Sequence, residues 1–281
     1  MPFQRKYRYL ALAVLGGSLA CKVRTAPPAA PPAAAAELLE PDGADPFSVE
    51  VRRGRAILNA TRDSLPGNVG NALRCTSCHL QDGTREVLGW EGVYARYPQY
   101  RSRSATVQTF EDRINDCLER SMAGRVLRAD TAPMRAMVAY FAWRSRNAPV
   151  TPSVAGPSIT RPFEGLTPDT AAGRRLFEVE CARCHGPDGE GTVLATPLWG
   201  PRSFTIGAGM ARFRTAAAFI HANMPFDRPG TLTPQQAVDV AGFVTSRPRP
   251  DFAAKGRDWP QGGAPKDTPY ATDAGGRTAR H

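Results

Sequence analysis

Apolar residues along this chain gather in helix-length patches, separated by stretches rich in proline, glycine and charge. Two patches are amphipathic and carry a Gly-Arg pair: "VEVRRGRAILNAT" (49–61) with Gly54-Arg55, and "LTPDTAAGRRLFEVE" (166–180) with Gly173-Arg174. The second places Thr167 as N-cap and Pro168 at the first helical position, which predicts where that helix begins. Two more apolar patches, "APMRAMVAYFAWRSR" (132–146) and "LTPQQAVDVAGFVTSR" (232–247), each read as a closing helix. In the latter, Thr233 and Gln236 have the spacing of a capping box, with a proline in the first turn. Sustained alternation and β-branched runs are almost lacking, so the pattern predicts helices and little sheet.

The breaks between patches organise the chain. "TAPPAAPPAAAA" (25–36) has nothing to bury and reads as a tether within a linker over 22–44. "NAPVTPSVAGPSITRP" (147–162) divides two segments of similar size, 45–148 and 163–250. From 251 to 281 the chain is Gly, Pro and charge, and is expected to be extended, disordered or draped on the surface. At the other end, Arg5, Lys6 and Arg8 precede the short apolar run "YLALAVLGGSLA" (9–20). That run is too short to span a bilayer and reads as an export signal over 1–21. Ser18, Leu19 and Ala20 suit signal cleavage, while Cys21 stands where a lipoprotein signal places its lipidated residue. Ser18 occupies the position where such signals carry an aliphatic residue, so both fates stay open. The expected location is the periplasm, with or without a lipid anchor at Cys21.

Charge changes this picture locally. The formal net charge is +10, or +7 once the three basic residues of the signal are removed. Nearly all the cations are arginine, and no lysine occurs between residues 23 and 254. A guanidinium binds oxyanions through paired hydrogen bonds, where lysine offers a point charge. Nucleic acid is excluded as a partner, because no binding motif accompanies the charge in an exported chain. Between Tyr94 and Arg128, seven arginines face four carboxylates, Glu111, Asp112, Asp116 and Glu119. That balance leaves a surplus suited to an anionic ligand, although some of these arginines will be paired on a solvated helix face.

The cysteines carry the chemistry. "CTSCH" (75–79) and "CARCH" (181–185) are C-x-x-C-H motifs, the attachment signature of c-type haem. Two thiols add across the haem vinyl groups, and the adjacent histidine presents its imidazole to the iron. Zinc would need two further ligands per pair, and only His221 and His281 remain. A thioredoxin-like redox pair needs a strand-to-helix context that the pattern lacks. The expected fold is therefore mostly α: two class I cytochrome c domains in tandem, each with one covalent haem c. Attachment falls to Cys75, Cys78, Cys181 and Cys184, and proximal ligation to His79 and His185.

The second axial position of each iron sets its chemistry. Met224, 39 residues beyond His185 in "AAAFIHANMPF", is the leading candidate for the second haem; Met210 and His221 are its rivals. For the first haem, Met134 and Met137 sit on an apolar helix and are expected in the core, while Met122 stays a candidate. Cys117 lies 38 residues beyond His79, nearly the spacing from His185 to Met224. The internal repeat thus assigns Cys117 the position that Met224 holds in the second half. If the stretch is helical, Ser121 lies one turn from Cys117, with Arg113 and Arg120 on either side.

The stretches "LPGNVGNALRCTSCHL", "YPQYRSRSATVQTFEDRINDCLERSMAG", "CARCHGPDGEG", "PLWGPRSFTIGAGMARF" and "FIHANMPF" resemble the dihaem thiosulfate dehydrogenases, the tetrathionate-forming cytochromes. The resemblance runs from about residue 50 to 250 and is most specific around Cys117. It implies ligation of the first haem by His79 and Cys117, and of the second by His185 with Met224 in its reduced form. It further implies an anion pocket of Arg103, Arg113 and Ser121 beside the cysteine. Some relatives carry a lysine just before the methionine that ligates the oxidised haem; Asn223 stands there in this chain. The implied reaction couples two thiosulfates to tetrathionate. The implied acceptor is soluble or membrane-bound, such as a small cytochrome c or a high-potential iron-sulfur protein. Two rivals share much of the pattern: a cysteine-ligated cytochrome that transfers thiosulfate to a carrier protein, and a non-catalytic dihaem electron carrier. A dihaem peroxidase fits less well, since neither half offers an open distal site.

Overall fold

The computed structural model describes residues 41–150 and 163–274. The signal, Cys21, nearly all of the Pro/Ala linker, most of the 149–162 break and the last seven residues lie outside them. Six helices form the frame: α1 (Pro46–Asn59), α2 (Phe110–Asp116), α3 (Ala132–Arg144), α4 (Thr170–Glu180), α5 (Phe213–Asn223) and α6 (Pro234–Thr245). A short antiparallel hairpin, β1 (Gln99–Arg101) with β2 (Thr106–Gln108), pairs Gln99 opposite Gln108. None of the described helices is long and apolar enough to cross a membrane.

The Gly-Arg pairs have a packing reason. α1 lies across α3, and a Cβ at Gly54 would overlap the Ala136 carbonyl. α4 lies across α6 in the same way, with Gly173 against the Asp239 carbonyl. Each half therefore brings its first and last helices into backbone contact at one glycine, which buries the apolar face that the sequence pattern shows. One core gathers Trp90, Phe110, Met134, Met137, Tyr140 and Phe141; the other gathers Phe163, Phe177, Val238, Val240 and Phe243. Trp90, Phe110, Tyr140 and Phe141 meet edge to face, at centroid separations of 4.8–5.9 Å.

The caps follow the sequence with one correction. The Thr233–Gln236 capping box forms, and a second box pairs Thr109 with Asp112 at the start of α2. The helix expected to be capped by Thr167 is capped by Asp169 instead, whose carboxylate accepts from the Ala171 and Ala172 amides. Thr167 and Pro168 have other work: the Thr167 carbonyl accepts from Gln235, and Pro168 fills the space over Gly242 on α6. Asp169 also donates its own amide to Asp239 of α6, so the cap doubles as a helix–helix tie.

Two features cross between the halves. Phe204, Ala208 and Ala211 follow the second C-x-x-C-H motif in sequence, yet they pack into the first core. Within residues 251–274, part of the tail read from the sequence as extended, disordered or draped, two adjacent side chains are buried: Trp259 is 5% exposed and Asp258 2%. Their indole and carboxylate find partners on arginines of the first half, described below.

Candidate functional site

Each half encloses a cleft beside its C-x-x-C-H motif. The first is built on one stripe of the helix that α2 begins: Phe110, Arg113, Ile114, Cys117, Leu118, Ser121 and Met122 line it, spaced by three and four. Cys75, Cys78 and His79 form the facing edge, with Leu58, Leu73, Trp90, Val93, Met137 and Phe141 as apolar walls. The cleft encloses about 800 Å³ including its open mouth.

The stripe does not end as an ordinary α-helix. Residues Cys117–Ser121 form one π turn, closed by the Met122 amide on the Cys117 carbonyl at 3.1 Å. Such turns are uncommon and recur at functional sites. A helix C-terminus leaves carbonyls to be satisfied, and here nearly every one finds a partner from elsewhere. Gly124 donates to Leu118, Asn71 Nδ2 to Ser121 at 2.8 Å, and Gly70 to Met122 at 2.8 Å. The Thr205 hydroxyl, from the second half of the chain, donates to the Arg120 carbonyl. Asn71 also donates to the Ser203 carbonyl at 2.9 Å, joining this turn to the 203–211 loop.

On this fixed turn Arg113 Nη1 donates to Cys117 Sγ at 2.9 Å. The charge of Cys117, followed by that of Tyr97 and Asp116, pushes the Arg113 pKa up against the opposing effect of burial. The guanidinium therefore stays cationic in a largely apolar cleft, one helical turn from the sulfur. A sulfur so placed is able to act as nucleophile or metal ligand. Across the cleft, burial lowers the His79 pKa to about 4, which keeps the imidazole neutral. Its Nδ1 lies 2.6 Å from the Leu88 carbonyl. With that nitrogen as donor, the lone pair of Nε2 is left for a ligand, the orientation common in metal-binding histidines. Burial raises Cys75 and Cys78 to about 12 as thiols; Thr61 fixes Cys75 by accepting from its amide and donating to its sulfur.

The second cleft repeats the plan with different chemistry. Cys181, Cys184, His185, Met210 and Met224 line it among Phe177, Leu198, Phe219, Ile220, Val240 and Val244. His185 Nδ1 lies 2.9 Å from the Thr196 carbonyl, and burial lowers its pKa. Met224 is held where α5 stops, its amide bonded to the Ile220 carbonyl. This cleft is larger, about 3350 Å³ with its opening, and first-half residues such as Asn59, Arg62, Ala72, Ser77 and Gln81 form part of its wall.

The sequence-derived residues divide accordingly. Arg113, Cys117 and Ser121 come together in the first cleft, and Met122 and Met137 line it too, whereas Met134 is in the core. Met224 and Met210 both line the second; Met210 also packs against the first core. His221 turns away, edge-on to Phe163 at 5.8 Å. Asn223 is 1% exposed and outside the lining. Arg103 does not line the first cleft: it sits in the turn between β1 and β2, stacks on Trp259 at 4.6 Å, and donates through Nη2 to the Tyr270 hydroxyl at 3.0 Å. Arg120 likewise points outward, its two Nη atoms each 2.8 Å from an Asp258 oxygen. Sequence reasoning missed Asp258, Trp259 and Tyr270. The only signal was three aromatic residues, Phe252, Trp259 and Tyr270, in a tail otherwise poor in large apolar side chains.

The donor set fits covalently attached haem c. Each cleft offers two thiols and a backbone-oriented imidazole on one side, a second sulfur from the opposing segment, and apolar walls between. None of the five described cysteines is in a disulfide. Among the described residues, no group of three His, Cys, Asp or Glu is placed to hold a metal ion.

Two helical units, each closing a glycine-crossed helix pair over a C-x-x-C-H cleft, define a cytochrome c of two domains. Residues 67–150 match the family SoxA/TsdA, cytochrome c domain, and residues 168–244 match cytochrome C oxidase, cbb3-type, subunit III. The chain is 44% identical over 230 residues to thiosulfate dehydrogenase of Psychrobacter arcticus, covering 79% of this chain and 70% of that one. It is also 44% identical over 232 residues to thiosulfate dehydrogenase of Allochromatium vinosum, covering 79% and 84%. Among solved structures, the thiosulfate dehydrogenase (TsdBA) of Marichromatium purpuratum, as isolated, superposes with a TM-score of 0.66 at 35% identity. That match covers 75% of this chain and 48% of the solved one, so this chain spans about half of that protein's length. The chain belongs to the thiosulfate dehydrogenase family and is an oxidoreductase enzyme.

Proposed function

We infer that the protein oxidises thiosulfate and joins two molecules of it into tetrathionate at Cys117, with one covalent haem c in each domain. The observation that carries this reading is the 2.9 Å contact from Arg113 to Cys117 Sγ, inside the cleft that also holds Cys75, Cys78 and His79. Cys75 and Cys78 would attach the first haem, and His79 and Cys117 would hold its iron. Cys181 and Cys184 would attach the second, with His185 and Met224. The haems supply two one-electron acceptors, matched to a two-electron coupling.

The chain's own residues do the rest. Arg113 binds the sulfonate end of a thiosulfate dianion and lowers the cost of a second negative sulfur beside Cys117, and the Ser121 hydroxyl adds a donor. Cys117 sulfur would form a bond to the outer sulfur of thiosulfate, giving Cys–S–S–SO3⁻ and two electrons for the acceptors that bound haems would supply. The outer sulfur of a second thiosulfate attacks the same sulfur, tetrathionate leaves, and the Cys117 thiolate is restored. Electrons then leave by the second domain to an external acceptor, a small cytochrome c or a high-potential iron-sulfur protein. The basic start, apolar run and Cys21 support a periplasmic location, with Cys21 available as a lipid anchor.

Purified holoprotein given thiosulfate alone should reduce ferricyanide and yield one tetrathionate per two electrons. Turnover that begins only on adding a carrier protein would identify a thiosulfate transferase, and no response to thiosulfate under any condition would leave an electron carrier. For the second domain, Met224→Ala should lower the potential of one haem in a spectroelectrochemical titration, while Met210→Ala leaves both potentials in place. The reverse result would move the ligand to Met210.

A further inference from the structure

Asp258 reaches the first domain from a long way off. It lies 138 residues from Arg120 in sequence, and its side chain is 3% exposed. Three donors bond this one carboxylate, and a second guanidinium pairs with it as an ion. Arg120 meets it through both Nη atoms at 2.8 Å, the Tyr270 hydroxyl donates at 2.6 Å, and Arg103 Nε lies 3.2 Å away. A fork of two parallel bonds to a guanidinium fixes direction as well as distance.

The neighbouring contacts make the anchorage two-sided. The Trp259 amide donates to the Arg103 carbonyl at 2.8 Å while its ring covers the Arg103 guanidinium. Phe252 lies 4.6 Å below the Arg120 guanidinium, and Asp116 accepts from Arg120 Nε at 3.3 Å. Arg120 belongs to the π turn that begins at Cys117, and its carbonyl is held separately by Thr205. Side chain and backbone of one turn residue are thus tied to distant segments of the chain. Asp258 and Asp116 also balance the charges of Arg103 and Arg120, which leaves Arg113 as the cation in contact with Cys117.

We propose that Asp258 is a positioning residue of the Cys117 site: through Arg120 it fixes the π turn that sets Cys117 against Arg113, and it holds Arg103 beside that turn. The C-terminal segment is then part of the enzyme's working architecture. This rests on the reading of Cys117 as the reacting sulfur.

The test uses the full-length holoprotein with Asp258→Asn, which keeps the shape and removes the charge. Two quantities are measured well below the thermal midpoint: the alkylation rate of Cys117 by iodoacetamide, followed by peptide mass spectrometry, and the KM and kcat for thiosulfate. A misplacement of this kind should raise both alkylation rate and KM about tenfold or more. The absorption of the first haem should change while that of the second, the internal reference, does not. Asp258→Glu should restore part of each effect, and Tyr270→Phe should give a smaller change of the same sign. Wild-type alkylation and KM in Asp258→Asn would overturn the proposal. Should that variant fail to fold, Tyr270→Phe decides: faster alkylation supports the proposal and an unchanged rate overturns it. If the wild-type protein does not oxidise thiosulfate, the functional reading fails, while the alkylation ratio still tests the role of Asp258.

Discussion

The two clefts share a scaffold and differ in what faces the histidine. In the first, a cysteine on a π turn stands beside a buried arginine. In the second, methionines line a larger cleft, and Met224 marks the end of a helix. A charged neighbour suits an anionic ligand, while a thioether suits a site that would pass electrons. The same helix pair, crossed at a glycine, thus frames two clefts that differ in a handful of side chains.

The strongest way to break that contrast is to remove the sulfur. Cys117→Ala should leave both haems attached and reduce turnover by roughly a thousandfold or more, measured as ferricyanide reduction. Wild-type rates would sink the assignment of chemistry to the first cleft. Next is Arg113→Met, which removes a charge-assisted bond worth about 2–3 kcal/mol, or roughly a hundredfold in kcat/KM. Arg183, between the two cysteines of the second motif, pairs with Asp227 at the surface with about half of each side chain exposed. Arg183→Ala should change the same rate by less than about threefold.

Smaller effects test the shared scaffold. Gly54→Ala and Gly173→Ala each force a methyl against a carbonyl and should cost about 1–3 kcal/mol. Thermal unfolding followed at each haem band should show similar losses; a large inequality would show that one crossing leans on the other half. Smallest are the caps. Thr109→Ala and Thr233→Ala should each cost about 1 kcal/mol in thermal or denaturant unfolding, with Thr109→Ala alone disturbing the thiosulfate reaction, since α2 carries the cleft stripe.

What the sequence made legible is what repeats or has a local signature. The two C-x-x-C-H motifs, the Gly-Arg helices, the Thr233 box and the matched spacing of Cys117 and Met224 are all readable within one helix or by comparing halves. Arg103 shows the limit. Its neighbours Arg113 and Ser121 lie on one helical stripe with Cys117, so spacing brings them together. Arg103 sits in a hairpin turn whose strands are three residues each, too short to leave an alternation. Its partner Tyr270 is 167 residues away, a distance at which no periodicity speaks. Asp169 was missed for a nearer reason: Thr-Pro imitates a helix start, and only the contacts of Pro168 and Thr167 with α6 show that the start lies further on.

The loop that carries Phe204, Ala208 and Ala211 has a consequence for how this chain comes to life. As the polypeptide emerges, its first half lacks three members of its own core, and the Arg120 carbonyl lacks the hydroxyl that arrives 85 residues later. A fragment ending in the 151–162 break would carry the first motif and Cys117 but neither these three core residues nor the Thr205 latch on the turn. The first half is thus completed by residues made after it, and its packing depends on the chain that follows.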